Sequence, residues 1–279
     1  MNVSLFSSMV FVGSLLAGFL GALTGLGGGI VIVPMLALLF GVSIRYAIGA
    51  SLVSVIATSS GAAAAYVKEG YSNIRLGMFL EVATTVGAVV GAGVAAFIST
   101  KAIAIIFGLV LLYSSYLSIK GKKSTPAEDA PANYFGKWLH LDDCYPEGDG
   151  TVSYHVHSIP TGFGLMWVAG ALSGLLGIGS GAVKVLAMDQ AMRVPFKVST
   201  TTSNFMIGVT AAASAGVYLA RGYIDPLLAM PVMLGVVFGS YFGSKVLVNS
   251  EVKMLRIIFA VVIVVLGVEM IYSGMTGRL

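Results

Sequence analysis

The chain has 279 residues, of which 57% are hydrophobic and only 10% are charged. Because soluble globular domains carry about 25% charged residues, this composition excludes a water-exposed globular domain and predicts an integral protein of a lipid bilayer. The formal net charge of +4 is most simply explained by orientation in a membrane, so we expect no nucleic-acid partner.

The hydrophobic runs are close to the length of membrane-spanning helices, which need about 20 residues to cross a hydrocarbon core of about 30 Å. The first run, Val10–Leu23, has no basic residue before it. It therefore lacks the charged region of a cleavable signal peptide and is predicted to be a retained span. Later runs are Ile48–Val67, Leu76–Ile98, Ala102–Ile119, Thr200–Ala220 and Ile257–Tyr272.

The sequence contains an internal repeat. Residues 17–33 read AGFLGALTGLGGGIVIV and residues 169–185 read AGALSGLLGIGSGAVKV, with nine of seventeen positions identical at an offset of 152. The same offset pairs Arg45 with Lys197, Ser51 with Ser203 and Gly87 with Gly239. An ungapped match that extends over roughly 100 residues indicates duplication of a structural module.

Each repeat has the same predicted parts. A span leads up to a glycine cluster (5–24 and 162–176), a short apolar segment follows (29–41 and 181–192), and three further spans complete the repeat. The short segments would cover about 20 Å as helices, so they are either re-entrant half-helices or short spans buried in the bundle. We therefore predict an all-α membrane protein of two repeats, 1–120 and 161–279, each with four to five helices.

The distribution of basic residues favours inverted repeats. If each glycine break turns the chain back, eleven Lys and Arg residues lie on one face and four on the other. Parallel repeats would give eight and seven. Because basic residues accumulate on the cytoplasmic side, we predict inverted repeats with both termini outside and the linker 121–160 in the cytoplasm.

The polar linker is predicted to form a small hairpin. Its strands would be Trp138–Leu141 and Thr151–His157, around a turn at residues 146–150. His155, His157 and Cys144 also lie in the linker, but their spacing matches no standard zinc pattern. We expect neither a metal site nor a cofactor.

The two glycine clusters are the first candidate site. A broken membrane helix exposes N–H groups that can bind an anion, and paired interruptions near the midplane mark substrate sites in transporters with inverted repeats. The alternative is that the glycines only permit close helix packing. The candidate residues are Gly25, Gly27, Gly28 and Gly29 in the first repeat, and Gly177, Gly179, Ser180 and Gly181 in the second.

Lys184 is a candidate contact for an anion, because it follows the second glycine cluster in an apolar stretch and its counterpart is Ile32. Ionisable residues within a membrane are costly and often functional. The alternatives are a lysine that reaches the interface or one that pairs with a carboxylate. Glu81 lies about 9 Å into its span, and is either a proton carrier, a partner of Lys184 or an interfacial acid.

Hydroxyl and amide side chains occur at matching places in both repeats. Ser51, Ser203 and Asn204 could hydrogen-bond a desolvated oxyanion without adding buried charge. Serine and threonine also bond their own helix backbone or support packing in membrane helices. Both interpretations stay open for these residues.

Several segments resemble a known family. They are Gly18–Gly29 with Val33-Pro34, Ser173–Gly181, Val194–Ser203, Arg221–Pro226 and His157–Pro160. These segments resemble the sulfite exporter TauE/SafE family of membrane permeases. The resemblance implies movement of sulfur-containing anions such as sulfite, sulfoacetate or other organosulfonates across a prokaryotic plasma membrane. Ser180 departs from the triple glycine of the first copy, where a serine either donates to an anion or loosens the symmetry.

The main hypothesis is therefore a secondary transporter that works by alternating access on a small sulfur-containing oxyanion. The alternatives are an anion channel, or a transporter of a carboxylate without sulfur. The sequence has no Walker A motif, so the membrane potential or a proton gradient would supply the driving force. All three histidines lie in the linker and no HExxH motif occurs, so we do not expect an enzyme.

Overall fold

The computed structural model describes residues 3–24, 28–68, 72–120, 139, 141–147, 150–249 and 252–278. Within these residues the first repeat contains α1 (Val3–Thr24), α2 (Gly29–Pro34), α3 (Ile44–Lys68), α4 (Ile74–Ala95) and α5 (Thr100–Lys120). The second contains α6 (Ile159–Leu176), α7 (Gly181–Leu186), α8 (Phe196–Ala220), α9 (Pro226–Asn249) and α10 (Val252–Thr276). Strands β1 (Asp143–Glu147) and β2 (Gly150–Tyr154) lie between them. The predicted all-α membrane fold is confirmed.

Four of the described helical segments are long and apolar enough to cross a membrane: Ser4–Gly21, Ile74–Ala95, Ile159–Leu176 and Phe196–Ala220. Helix α4 also carries an outward stripe of valines with helical spacing. Val82, Val86, Val90 and Val94 are between 42% and 60% exposed. An exposed apolar stripe of this length is unfavourable in water and is accommodated by contact with lipid.

The chain turns back after each glycine cluster. Helix α2 continues into a π-helical turn at Met35–Leu39, and α7 continues into one at Ala187–Ala191, 152 positions later. The Phe6 and Phe40 rings, from the start of α1 and the residue after the first π turn, are 5.8 Å apart. Each short segment thus runs back beside the helix that precedes it, which fits either of the two predicted alternatives, a re-entrant half-helix or a short span buried in the bundle.

The two repeats are interleaved. Helix α1 packs along α9, and α6 packs along α4, so each first helix contacts a helix of the other repeat. The contact of Gly18 with the Val236 backbone has its counterpart, at the offset of 152, in the contact of Gly170 with the Thr84 backbone. Small residues at these crossings allow the helix backbones to approach closely.

Equivalent helices of the two repeats meet in antiparallel pairs. In the α5–α10 pair, Lys101 lies beside Gly274 and Gly108 lies beside Gly267. Farther along, the Ser115 hydroxyl donates to the Ala260 carbonyl at 3.1 Å. Helices α3 and α8 also run antiparallel, since Gly49 contacts Tyr223 and Ser59 contacts Gly208. In both pairs, the equivalent helices of the two repeats thus run in opposite directions.

The linker contains the expected hairpin, but its first strand is Asp143–Glu147, whereas Leu139 lies in a turn and Leu141 lies outside the strands. The second strand ends at Tyr154 and not at His157. The pairing is fixed by Tyr145 and Tyr154, whose rings lie 6.2 Å apart and are buried. Their burial outweighs the weak alternation of the earlier segment, and Pro146 and Glu147 consequently lie in the strand rather than in the turn. Trp138 and His140 lie outside the described residues.

Asn73 joins the hairpin to the membrane helices. Its side-chain oxygen accepts from the Leu76 N–H at 2.9 Å and caps α4. Its amide nitrogen donates to the Leu141 carbonyl and the Tyr154 hydroxyl, both at 2.9 Å. Burial raises the pKa of the Tyr154 hydroxyl above its ordinary value, so this hydroxyl stays protonated. The start of α4 is thereby fixed against the linker.

Candidate functional site

The two glycine breaks meet at the centre of the molecule. The Ser51 hydroxyl of α3 donates to the Gly177 carbonyl at 2.8 Å and lies 3.5 Å from the Gly29 carbonyl. A β-carbon on Gly29 would lie 2.8 Å from the Ser51 hydroxyl and 3.1 Å from the Gly177 carbonyl. Glycine is therefore required at residue 29 by the close approach of the opposite break.

The second break is held in a conformation that favours glycine. Gly177 and Gly179 have φ values of +69° and +71°, and Ser180 has a φ of +48°. A non-glycine residue with positive φ is uncommon and marks a site where the surrounding structure imposes the conformation. The Ser180 hydroxyl is buried and has no hydrogen-bond partner within the described residues. It is an available donor one helical turn before Lys184.

Ser203 repeats the role of Ser51 in the second half. Its hydroxyl donates to the Gly181 carbonyl at 3.3 Å, the counterpart of the Ser51–Gly29 contact. Both serines thus stabilise carbonyl groups of the broken backbone. Asn204 lies half-buried in α8 immediately after Ser203. Gly25 and Gly27 lie outside the described residues, whereas Gly28 provides the carbonyl that begins α2.

Lys184, on α7, is completely buried. Its ammonium group donates to the Thr210 hydroxyl of α8. It also lies 3.9 Å from the Glu81 Oε2 of α4, so Lys184 and Glu81 form an ion pair. The sequence left open whether Lys184 contacts an anion, reaches the interface or pairs with a carboxylate. In this structure Lys184 is buried and pairs with the Glu81 carboxylate.

Thr210 connects the two charges. Its hydroxyl lies 2.7 Å from Glu81 Oε1, so it can accept from Lys184 and donate to Glu81. The Thr85 hydroxyl donates to the same carboxylate oxygen at 3.1 Å. The other oxygen, Glu81 Oε2, is buried and makes no hydrogen bond within the described residues. This carboxylate therefore keeps free acceptor capacity inside the protein.

The group formed by Lys184, Glu81 and Thr210 has no charged counterpart at the equivalent positions of the duplicated scaffold. The offset of 152 pairs Lys184 with Ile32, Glu81 with Met233 and Thr210 with Thr58. The Thr58 hydroxyl lies near the Ser54 and Val55 carbonyls of its own helix, at 3.1 and 3.2 Å. Because the backbone scaffold is repeated and the charges are not, helix packing alone does not explain the charges.

Thr210 is the residue that the sequence reasoning missed. Its counterpart at the offset of 152 is Thr58, which belongs to a run of hydroxyl residues in the first repeat: Ser51, Ser54, Thr58, Ser59 and Ser60. The sequence also left open whether Glu81 pairs with Lys184. These residues come from α4, α7 and α8, and only the interleaved packing brings them together.

Comparison with known proteins gives one family. The profile of the sulfite exporter TauE/SafE family matches residues 10–270. No solved structure matches the chain significantly.

Curated relatives align over most of their length. The probable membrane transporter protein YunE of Bacillus subtilis is 28% identical over 267 residues, which cover 93% of this chain and 95% of the relative. The probable membrane transporter protein YdhB of the same organism is 26% identical, with 85% and 87% covered. A probable membrane transporter protein of Methanocaldococcus jannaschii is 25% identical, with 94% of each chain covered.

Proposed function

This chain is a membrane transporter that belongs to the sulfite exporter TauE/SafE family, and we propose that it carries small sulfur-containing oxyanions, such as sulfite or organosulfonates, by alternating access. The observation that carries the proposal is the buried group of Lys184, Thr210 and Glu81 beside the meeting point of the two glycine breaks. An ion pair away from water contributes little to stability, so its presence on one half of a duplicated scaffold supports a functional role.

Lys184 is the proposed anion contact, and Ser180 provides a neutral donor in the same turn. An oxyanion that replaced Glu81 beside Lys184 would accept hydrogen bonds from the ammonium, from Thr210 and from Ser180. Charge-assisted hydrogen bonds of this kind are stronger than neutral ones in a desolvated site. Gly177, Gly179 and Ser51 support the backbone around this position and keep side chains out of it.

Glu81 is the proposed proton carrier. The Lys184–Glu81 pair is neutral, so a bound monoanion would give the buried site a charge of −1, which is unfavourable in a medium of low dielectric constant. A proton on Glu81 removes this charge and releases Lys184 for the anion. One proton would therefore move with each monoanion, and the cycle would be electroneutral.

Alternating access is supported by the complete burial of Lys184 and by the antiparallel packing of equivalent helices. Lys184 is fully buried, so a solute can reach it only when helices separate. The antiparallel pairs α3–α8 and α5–α10 fit two repeats of opposite orientation in the bilayer, which can rock about a shared central site. We propose a prokaryotic plasma membrane as the location, with both termini outside and the linker in the cytoplasm.

A ligand screen tests the substrate class. Purified protein in detergent is melted in the presence of sulfite, thiosulfate, sulfate, sulfoacetate or simple carboxylates, because a ligand that binds only the folded state raises the melting temperature. We expect stabilisation by a sulfur-containing monoanion in the wild type and a clearly smaller stabilisation in Lys184→Met. Stabilisation by carboxylates alone would contradict the sulfur assignment, and equal stabilisation of Lys184→Met would contradict the site.

A transport assay tests the coupling. Proteoliposomes with an imposed pH gradient should accumulate the anion identified by the screen when they contain the wild type. Glu81→Gln should exchange labelled anion across the membrane but should not respond to the gradient, because glutamine remains neutral. Flux that rises linearly with anion concentration and carries large currents would instead indicate a channel.

A further inference from the structure

A second group of basic side chains lies at the other end of α4 from Glu81. Arg45 of α3 and Arg221, which follows α8, line a narrow cleft that is partly open to solvent. The other walls are the tyrosines at residues 218 and 223 and the alanines at residues 92, 95 and 96. In this conformation the cleft holds no water-sized space, so an anion enters it only when the side chains that line it move apart.

The two arginines are held by backbone carbonyls and not by acids. Arg221 donates to the carbonyls of Ala92 and Gly93, both at 3.1 Å. Arg45 donates to the carbonyls of Ala96 and Ile98, both at 3.2 Å. Among the residues that the structure describes, no carboxylate lies within 4.0 Å of either guanidinium. The cleft therefore carries two positive charges that are offset only by the carbonyl end of α4.

One donor in the cleft has no acceptor. The Arg45 Nε is buried and makes no hydrogen bond within the described part of the chain. A buried donor left without a partner is unfavourable, and it calls for an acceptor that is part of the functional state. The Nη1 and Nη2 atoms of Arg45 already donate to the Tyr223 hydroxyl and to the Ala96 and Ile98 carbonyls, so Nε is the donor that an oxyanion would take.

The cleft adjoins the second glycine break. Tyr218 forms part of its wall, and the Tyr218 hydroxyl lies 3.4 Å from the Leu175 carbonyl, two residues before Gly177. The Tyr218 and Tyr223 rings lie 6.2 Å apart. Movement of these tyrosines would connect the cleft with the central site.

We propose that the Arg45–Arg221 cleft is a second anion site, which captures the small oxyanion at one end of the transport path. Its role in transport rests on the proposed function, whereas anion binding in the cleft does not. The chemistry recognised is a compact oxyanion, a description that a free solute and the phosphate of a lipid head group share. The position beside the glycine break favours the solute.

Binding is tested in the Lys184→Met background, where the proposed central site is removed. Melting with sulfite and methanesulfonate as probes should still show a small stabilisation, which disappears when Arg221→Gln is added. Arg221 is exposed, but Arg221→Gln also removes its hydrogen bonds to Ala92 and Gly93, so each variant's shift is measured against the same variant without anion. Arg278→Gln is the matched control, because it removes the same charge from an arginine that stacks on Tyr272, 5.4 Å from the ring centre. Equal stabilisation with and without Arg221 would overturn the proposal.

Transport measured separately from each side of the membrane tests whether the Arg45–Arg221 cleft captures the anion. In otherwise wild-type protein, Arg45→Gln and Arg221→Gln should raise the half-saturating concentration about tenfold or more from the cleft side only, as expected for loss of one charge-assisted contact. Arg278→Gln should leave it unchanged. An unchanged half-saturating concentration in Arg221→Gln would contradict the capture role. Loss of anion stabilisation in nanodiscs with phosphatidylglycerol, but not with phosphatidylcholine, would assign the cleft to lipid and overturn the solute site.

Discussion

Among single residues, Lys184, Thr210 and Glu81 form the buried group on which the proposed transport depends. Threonine can accept from a cation and donate to an anion with one hydroxyl, so Thr210 holds the two charges at a separation of 3.9 Å without a direct hydrogen bond. This separation would allow an incoming oxyanion to take the place of the carboxylate.

Thr210→Val should reduce the transport rate about tenfold or more while the protein stays folded. The change removes a hydrogen bond to charged groups, which contributes about 1.5–3 kcal/mol, and it leaves the buried ion pair without its bridge. Thr210→Ser should retain transport.

Thr58→Val is the matched control, because Thr58 occupies the equivalent position and its hydroxyl lies near the carbonyls of its own helix. Rates would be measured in proteoliposomes at saturating anion. Equal losses in the Thr58 and Thr210 variants would mean that both hydroxyls only support packing.

The sequence identifies Lys184, Glu81 and Thr210 as site residues to different degrees, for physical reasons. Lys184 is recognisable because a cation in an apolar stretch after a glycine cluster is costly. Its partner Glu81 was one of several alternatives, since the pairing depends on how distant helices pack. Thr210 carries no charge and is one of many hydroxyls, so only its contacts distinguish it.

At the scale of helices, close backbone contact defines the crossings. A β-carbon on Gly87 of α4 would overlap the Trp167 backbone of α6, and one on Gly239 would overlap the Leu15 backbone of α1 at the equivalent crossing. On the same helix, a β-carbon on Gly93 would meet nothing within 4 Å. The glycines of α4 therefore have different roles.

Gly87→Ala should destabilise the protein by about 1–3 kcal/mol, because the two helices must move apart. Gly93→Ala should be neutral or stabilising by up to about 1 kcal/mol, since alanine favours a helix more than glycine does. The melting temperatures of both variants in detergent would be compared with the wild type. A Gly93 variant that melts as low as the Gly87 variant would contradict this packing.

The sequence predicts the helices themselves better than it predicts which helices pack against one another. Hydrophobic length and the offset of 152 identify the spans and the short segments, because both follow from local sequence. The choice of α9 as the partner of α1 is a long-range contact that periodicity does not encode. The hairpin strand was placed too early for a similar reason, since the burial of Tyr145 depends on contacts outside the linker.

At the scale of the whole molecule, the repeated scaffold implies opposite orientations for the two halves. An inverted arrangement requires an odd net number of crossings per repeat, which the short helices α2 and α7 provide. The proposed inverted arrangement collects the basic residues of the sequence on one face, and it predicts that the exposed Cys144 of the linker lies on the cytoplasmic side.

Cys144, the single cysteine, allows a direct test of orientation. A membrane-impermeant maleimide should label it only after intact spheroplasts are permeabilised. In a Cys144→Ser background, Arg278→Cys should be labelled without permeabilisation, because the C-terminus is predicted outside. Labelling of both positions from the same side would contradict the inverted repeats.

Uptake of radiolabelled sulfite into proteoliposomes tests whether Lys184 contacts the transported anion. The wild type and Lys101→Met, which removes an exposed lysine of α5, should show saturable uptake. Lys184→Met, purified with the same yield and monodispersity, should show none above protein-free vesicles. Saturable uptake by Lys184→Met at the wild-type rate would contradict the account.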